Sequence, residues 1–108
     1  MPECPEVHIG RVEIPGEDYA RIQQAADQGR NLWRLSPVRT AQVVGTEHLG
    51  LRANDIYTLR EQYIESGSGL RHAVVEVTHG PCRFLVELYQ PERQGSRGIW
   101  VVEDVTPL

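Results

Sequence analysis

Two runs of alternating apolar residues, joined by Gly80-Pro81, constrain the fold of this chain more than any other feature. Alternation with a period of two is typical of strands, and Gly-Pro between two such runs is typical of a turn. Pairing the runs about this turn places Val77 opposite Phe84 and Val75 opposite Val86, so that one face is wholly apolar. We therefore predict a β-hairpin whose apolar face lies in the core.

The rest of the chain divides into helix-like and strand-like segments. β-branched and aromatic residues are frequent in 56–64, 70–79, 82–90 and 98–105, with turn-forming residues between them. Apolar residues recur every three or four positions in 17–28, and Ser36-Pro37 is typical of the start of a second helix. The sequence predicts one α+β domain, residues 1–108, with two N-terminal helices packed on one face of a curved four- to five-stranded antiparallel sheet. Residues 7–14 are predicted to form a short edge strand, and Leu32, Trp33 and Leu35 to close one end of the core.

This outline, with helices laid on a curved antiparallel sheet in a chain of this size, is similar to the cystatin-like and NTF2-like folds. The similarity covers the outline and no residue-level motif. It implies no single function, because those folds include enzymes, ligand carriers and dimerisation modules.

Composition excludes several classes of function. All 11 basic side chains are Arg, so the chain has neither a Schiff-base lysine nor a Walker lysine. The net charge of −4 argues against nucleic acid as a partner, and no apolar run is long enough to cross a bilayer. The start of the chain lacks the basic and apolar segments of a secretory signal, so we expect a cytoplasmic protein or an excised domain.

His79 and Cys82 flank the turn with H-x-x-C spacing, which raises the question of a metal or catalytic pair. The hairpin alone makes them cross-strand neighbours, so their proximity needs no metal to explain it. Cys4 and His8 form a second pair, but this spacing does not match that of structural zinc sites. We expect no metal, no cofactor and two free thiols.

Glu61 suggests a pocket. If Tyr57 lies opposite His79 and Tyr63 opposite Ala73, Glu61 points into the core, where burial would raise its pKa as a general acid requires. A register shifted by one residue turns Glu61 to solvent instead. The candidate pocket residues are Tyr57, Glu61, Tyr63, His79 and Cys82.

The strand that contains Trp100 is apolar on both faces, which is more than one layer of helices can cover. The excess predicts an interface on the outer face of the sheet, unless residues 7–14 cover it. We therefore predict a non-catalytic binding or assembly module that forms a homodimer or binds a protein partner. The alternative is a small-molecule pocket or small enzyme that uses Glu61, Tyr57 and His79. The candidate interface residues are Val74, Leu85, Tyr89 and Trp100.

Overall fold

A computed structural model describes residues 4–108 of the chain. It confirms the α+β class, with two α-helices and an open antiparallel sheet of five strands. The elements are β1 (Gly10–Arg11), α1 (Tyr19–Asp27), α2 (Pro37–Val44), β2 (Ile56–Ile64), β3 (Arg71–His79), β4 (Cys82–Tyr89) and β5 (Val101–Pro107). Their order in the sheet is β1-β5-β4-β3-β2, so the four long strands form the predicted meander and β2 lies at one edge. Neither helix has the length and apolar character that a membrane span requires in the part of the chain described.

Both helices begin at polar caps. The Asp18 side chain accepts a hydrogen bond from the Arg21 N–H at 3.2 Å, and the Ser36 hydroxyl accepts one from the Arg39 N–H at 3.2 Å. Pro37 occupies the first position of α2, where its missing N–H breaks no helical hydrogen bond. The predicted helix starts are therefore confirmed to within two residues.

The hairpin of β3 and β4 has the predicted register. Val77 lies opposite Phe84 and Val75 opposite Val86, and the two central valines are fully buried. Gly80 has a φ of +56° and precedes Pro81, as expected of the first central residue in a type II′ turn. The inner face of the sheet, which carries these residues, packs against α2.

The register of β2 that would point Glu61 into the core is not the one observed. Tyr57 lies opposite Val77 rather than His79, and Glu61 lies opposite Val74 rather than Val75. The ladder shifts between Leu59 and Glu61, which makes Arg60 the extra residue of a β-bulge. Because of this bulge Glu61 belongs to the outer face, where it is exposed.

The prediction that both helices share one face is wrong for α1. Ala26 of α1 packs with Ile99 and Val101, and Tyr89 completes this second apolar cluster. Val101 and Tyr89 lie opposite each other and are next in sequence to Val102 and Leu88, which form an inner-face pair. Because successive residues of a strand point to opposite faces, Val101 and Tyr89 point to the outer face. Helix α1 thus covers one end of the outer face, while α2 covers the inner face.

Trp100 and Leu32 lie where the sequence did not place them. Trp100 is 3% exposed and belongs to the core under α2, so it is not part of an outer interface. Leu32 is 54% exposed, and Arg34 is buried beside it instead. Arg34 reaches the core because it binds Glu17 at 3.0 Å and donates a hydrogen bond to the Trp100 carbonyl at 3.3 Å.

Cys4 and Cys82 form a disulfide, which corrects the expectation of two free thiols. Their Cα atoms lie 5.6 Å apart although 78 positions separate them in sequence. The segment that brings Cys4 to the hairpin passes over Gly50, where an added Cβ would come within 2.2 Å of the Glu6 carbonyl oxygen. A glycine with a φ of +84° at this position therefore permits the crossing.

Candidate functional site

The predicted pocket residues are divided between the two faces of the sheet. Tyr57 and His79 belong to the inner face, whereas Glu61 and Tyr63 belong to the outer face. Tyr57 donates a hydrogen bond to the Arg52 carbonyl at 2.8 Å, and burial raises its pKa to about 12. The structure therefore does not bring these side chains to one point.

His79 and Cys82 lie opposite each other as predicted, but each has another partner. The Cys82 sulfur is bonded to Cys4, which leaves no thiol for nucleophilic attack or metal binding. His79 Nδ1 lies 2.5 Å from a carboxylate oxygen of Asp55, whose side chain is only 3% exposed. Within residues 4–108, no three His, Cys, Asp or Glu side chains are grouped to hold a metal ion.

An open groove of about 500 Å³ lies beside the disulfide. Ile9, Phe84 and Leu108 contribute apolar surface to it, and Cys4 and Cys82 form part of its wall. Tyr57, Glu61 and His79 do not line this groove. It therefore gives no support to a pocket built on those three residues.

The centre of the outer face is a charged cluster. Arg60 Nε lies 2.9 Å from one carboxylate oxygen of Glu76, and Arg83 contacts both oxygens at 3.0 Å. These hydrogen bonds, from Arg83 first and then Arg60, lower the pKa of Glu76 to about 2. Because two guanidinium groups share one carboxylate, the cluster carries one positive charge in excess beside the middle of β2.

An aromatic stack crosses the other end of the outer face. The His72 ring lies between Tyr63 at 5.3 Å and Tyr89 at 5.8 Å, measured between ring centroids. Tyr63 donates a 2.6 Å hydrogen bond to Glu87, which together with burial raises the Tyr63 pKa to about 12. His72 is 4% exposed, and its Nδ1 lies 3.6 Å from Glu103 Oε2 without a hydrogen bond. Sequence analysis missed this stack because His72 reads as one polar residue in an alternating strand.

The predicted outer interface is smaller than expected. Val74 and Leu85 are only partly exposed, and each has a charged neighbour directly across the ladder. Tyr89 packs in one cluster with Ala26, Tyr19 and Ile22, so it is also partly covered. With Trp100 buried, little continuous apolar surface is left on this face.

The largest exposed apolar side chains of the sheet lie on its edge strand β2. Ile56 is 64% exposed, Leu59 39% and Ile64 63%. Tyr57 packs against the core, whereas Leu59 and Ile64 are exposed, and within the described residues β2 pairs with β3 on one side and with no strand on the other. The edge of β2 therefore offers unpaired backbone groups beside apolar side chains.

The charges on β2 lie at its bulge. Arg60 is half exposed and held by Glu76, whereas Glu61 is exposed and has no ion-pair partner among residues 4–108. Sequence analysis identified Glu61 but left open whether it points into the core or to solvent, because the bulge has no recognisable sequence signature. The structure shows the solvent-facing alternative. The sequence signal that could have located this edge is the set of apolar residues Ile56, Leu59 and Ile64 on the first strand of the meander.

No protein-family model, curated protein or solved structure matches the chain. Any function therefore has to be inferred from the residues and their geometry.

Proposed function

We propose that this protein is a non-catalytic assembly module that self-associates through the free edge of β2. The observation that carries the proposal is the exposure of Ile56, Leu59 and Ile64 on an edge strand of nine residues. A long unpaired edge with apolar side chains is a template for another strand, and burying it removes apolar surface from water. A single-strand contact is small, so the association is expected to depend on concentration.

The edge is better suited to this role than the outer face, the surface predicted from the sequence. Val74 and Leu85 lie among charged groups that have partners within the chain, such as Glu76 with Arg83. Covering these ion pairs would cost desolvation with little apolar gain. The similarity of outline to the cystatin-like and NTF2-like folds stays a prediction, and the proposal does not depend on it.

Lysine substitutions on the edge test the proposal. Leu59→Lys and Ile64→Lys should weaken self-association measured by light scattering after size exclusion, because each places a charge in the proposed contact. Leu32→Lys is the matched control, since the exposure of Leu32 lies between those of Leu59 and Ile64 but the residue lies away from the sheet edge. All three variants should retain the wild-type melting temperature, because exposed positions contribute little to stability.

Outer-face variants distinguish the two surfaces. Val74→Glu and Leu85→Glu should leave self-association unchanged if β2 is the contact. If these variants lose the dimer while Leu59→Lys and Ile64→Lys keep it, the interface lies on the outer face and not at the edge of β2. A wild type that stays monomeric at every accessible concentration would remove the proposal.

The alternative, a small-molecule pocket or small enzyme, has less support. Its residues Tyr57 and Glu61 lie on opposite faces of the sheet, and His79 is engaged with Asp55.

We also propose an oxidising compartment in place of the predicted cytoplasmic location. The Cys4–Cys82 disulfide supports this, because disulfides persist in oxidising compartments and are rare in the cytosol. Alkylation of protein taken directly from cells should label neither cysteine before reduction. Labelling of both without reductant would contradict the proposal.

A further inference from the structure

The geometry points to one specific partner arrangement for β2: a second copy of this chain, antiparallel, with the two-fold axis midway between Arg60 and Glu61. This inference rests on the proposed self-association and adds its register and its recognition residues. Two features of β2 carry it, namely the bulge and the excess positive charge beside it.

The bulge restricts which registers are possible. Residues directly opposite in an antiparallel ladder share a face. Before the bulge Tyr57 and Leu59 lie on the inner face, whereas after it Gln62 and Ile64 do. An axis through Arg60 would set inner-face Leu59 opposite the partner's outer-face Glu61, so that arrangement does not form a regular ladder.

An axis midway between Arg60 and Glu61 keeps every pair on one face. On the inner face it sets Leu59 opposite the partner's Gln62 and Tyr57 opposite the partner's Ile64. Leu59 and the partner's Ile64 are then diagonal neighbours, within reach of each other's side chains. The inner-face apolar side chains thus form two symmetry-related patches across the junction, each made of Tyr57 and Leu59 with the partner's Ile64.

The same axis makes the charges complementary. Arg60 lies opposite the partner's Glu61, and the two-fold symmetry repeats this pair. Arg60 and Arg83 together carry one more positive charge than Glu76 neutralises, and Glu61 is exposed without an ion-pair partner among residues 4–108. Moving the axis by one residue in either direction sets Leu59 opposite the partner's Arg60, or Glu61 opposite the partner's Gln62, and loses both ion pairs.

The bulge and the charges also explain why the edge would not pair at random. Bulges and charged residues on edge strands block indiscriminate pairing in natural sheets. On β2 they exclude registers that mismatch faces or bring like charges together, and they leave this self-complementary one. Selection of this kind combines attraction in one arrangement with repulsion in the others.

Charge reversal tests the register. Glu61→Arg creates two Arg–Arg contacts in the homodimer and should raise the dissociation constant roughly tenfold or more, and Arg60→Glu should do the same through two Glu–Glu contacts. An equimolar mixture of the two variants should form a heterodimer as tight as the wild type, because both Arg–Glu pairs are then restored. Glu92→Arg is the control for Glu61→Arg, because it changes the net charge by the same amount at an exposed position away from β2, and it should dimerise normally.

Arg60→Glu also removes a partner of Glu76 and could unfold the chain, so the melting temperature of each variant is measured first. A cysteine pair gives an independent readout: a mixture of Leu59→Cys and Gln62→Cys should cross-link on mild oxidation, and Leu59→Cys alone should not. A wild-type dimer that Glu61→Arg leaves intact, or a mixture that neither cross-links nor recovers affinity, would overturn the register while self-association stands. A monomeric wild type would instead contradict the proposed function, self-association through β2.

Discussion

Glu76 shows what a single residue contributes to the outer face. Its carboxylate accepts hydrogen bonds from Arg60 and Arg83, and these hold its pKa at about 2, below the ordinary value of 4.5. The folded state therefore favours the ionised form more than the unfolded state does. Because Arg60 also lies at the bulge, the same ion pairs fix the side chain that is proposed to meet the partner.

Glu76→Gln should lower the free energy of unfolding at neutral pH. The folded pKa of Glu76 is depressed, so its stabilising effect is complete above about pH 4.5 and is lost as the pH falls towards about 2. The difference in stability between wild type and variant should shrink over that window. Urea unfolding at pH 7, 4.5 and 2 measures it, with Glu92→Gln as an exposed control. A difference that is constant across these pH values would contradict the assignment.

At the scale of elements, the elements that were predicted correctly are those specified by a short local sequence motif. Gly80-Pro81 fixes the β3–β4 turn, so the register of that hairpin followed from two residues. Ser36-Pro37 likewise fixed the start of α2. The bulge at Arg60 has no such marker, so the sequence left the face of Glu61 open between core and solvent. The sequence therefore identified Glu61 as a candidate residue but did not predict that the site lies on an edge strand.

The disulfide ties two elements that no local pattern relates. Cys4 lies before β1 and Cys82 begins β4, and their pairing depends on how the chain start crosses Gly50. The same kind of long-range packing placed α1 on the outer face, where it contacts Ile99 and Val101. Sequence periodicity gives the apolar side of a helix but not the surface that it meets.

Cys4→Ser should lower the free energy of unfolding by roughly 4 kcal/mol, the amount expected for opening a loop of this length. Reductant should destabilise the wild type by the same amount. It should leave the stability of Cys4→Ser unchanged, so this variant is the control for the effect of reductant. Thermal unfolding with and without a dithiol measures both effects. Equal melting temperatures of oxidised and reduced wild type, or two free thiols by titration, would contradict the disulfide.

At the scale of the whole molecule, the sheet is protected on both faces but not at one edge. Helix α2 covers the inner face, and α1 with the charged cluster occupies much of the outer face. At the other edge the short β1 lies beside β5, whereas β2 is nine residues long and unpaired in the described chain. Self-association through β2 would leave the joined sheet with its two short β1 edges outermost.

Sedimentation equilibrium of the oxidised wild type, from about 1 to about 500 μM, tests this account most directly. We expect a reversible monomer–dimer equilibrium whose dissociation constant increases in Leu59→Lys and Glu61→Arg and stays at the wild-type value in Leu32→Lys and Glu92→Arg. A single monomeric species over the whole range, with a correctly formed disulfide, would contradict it.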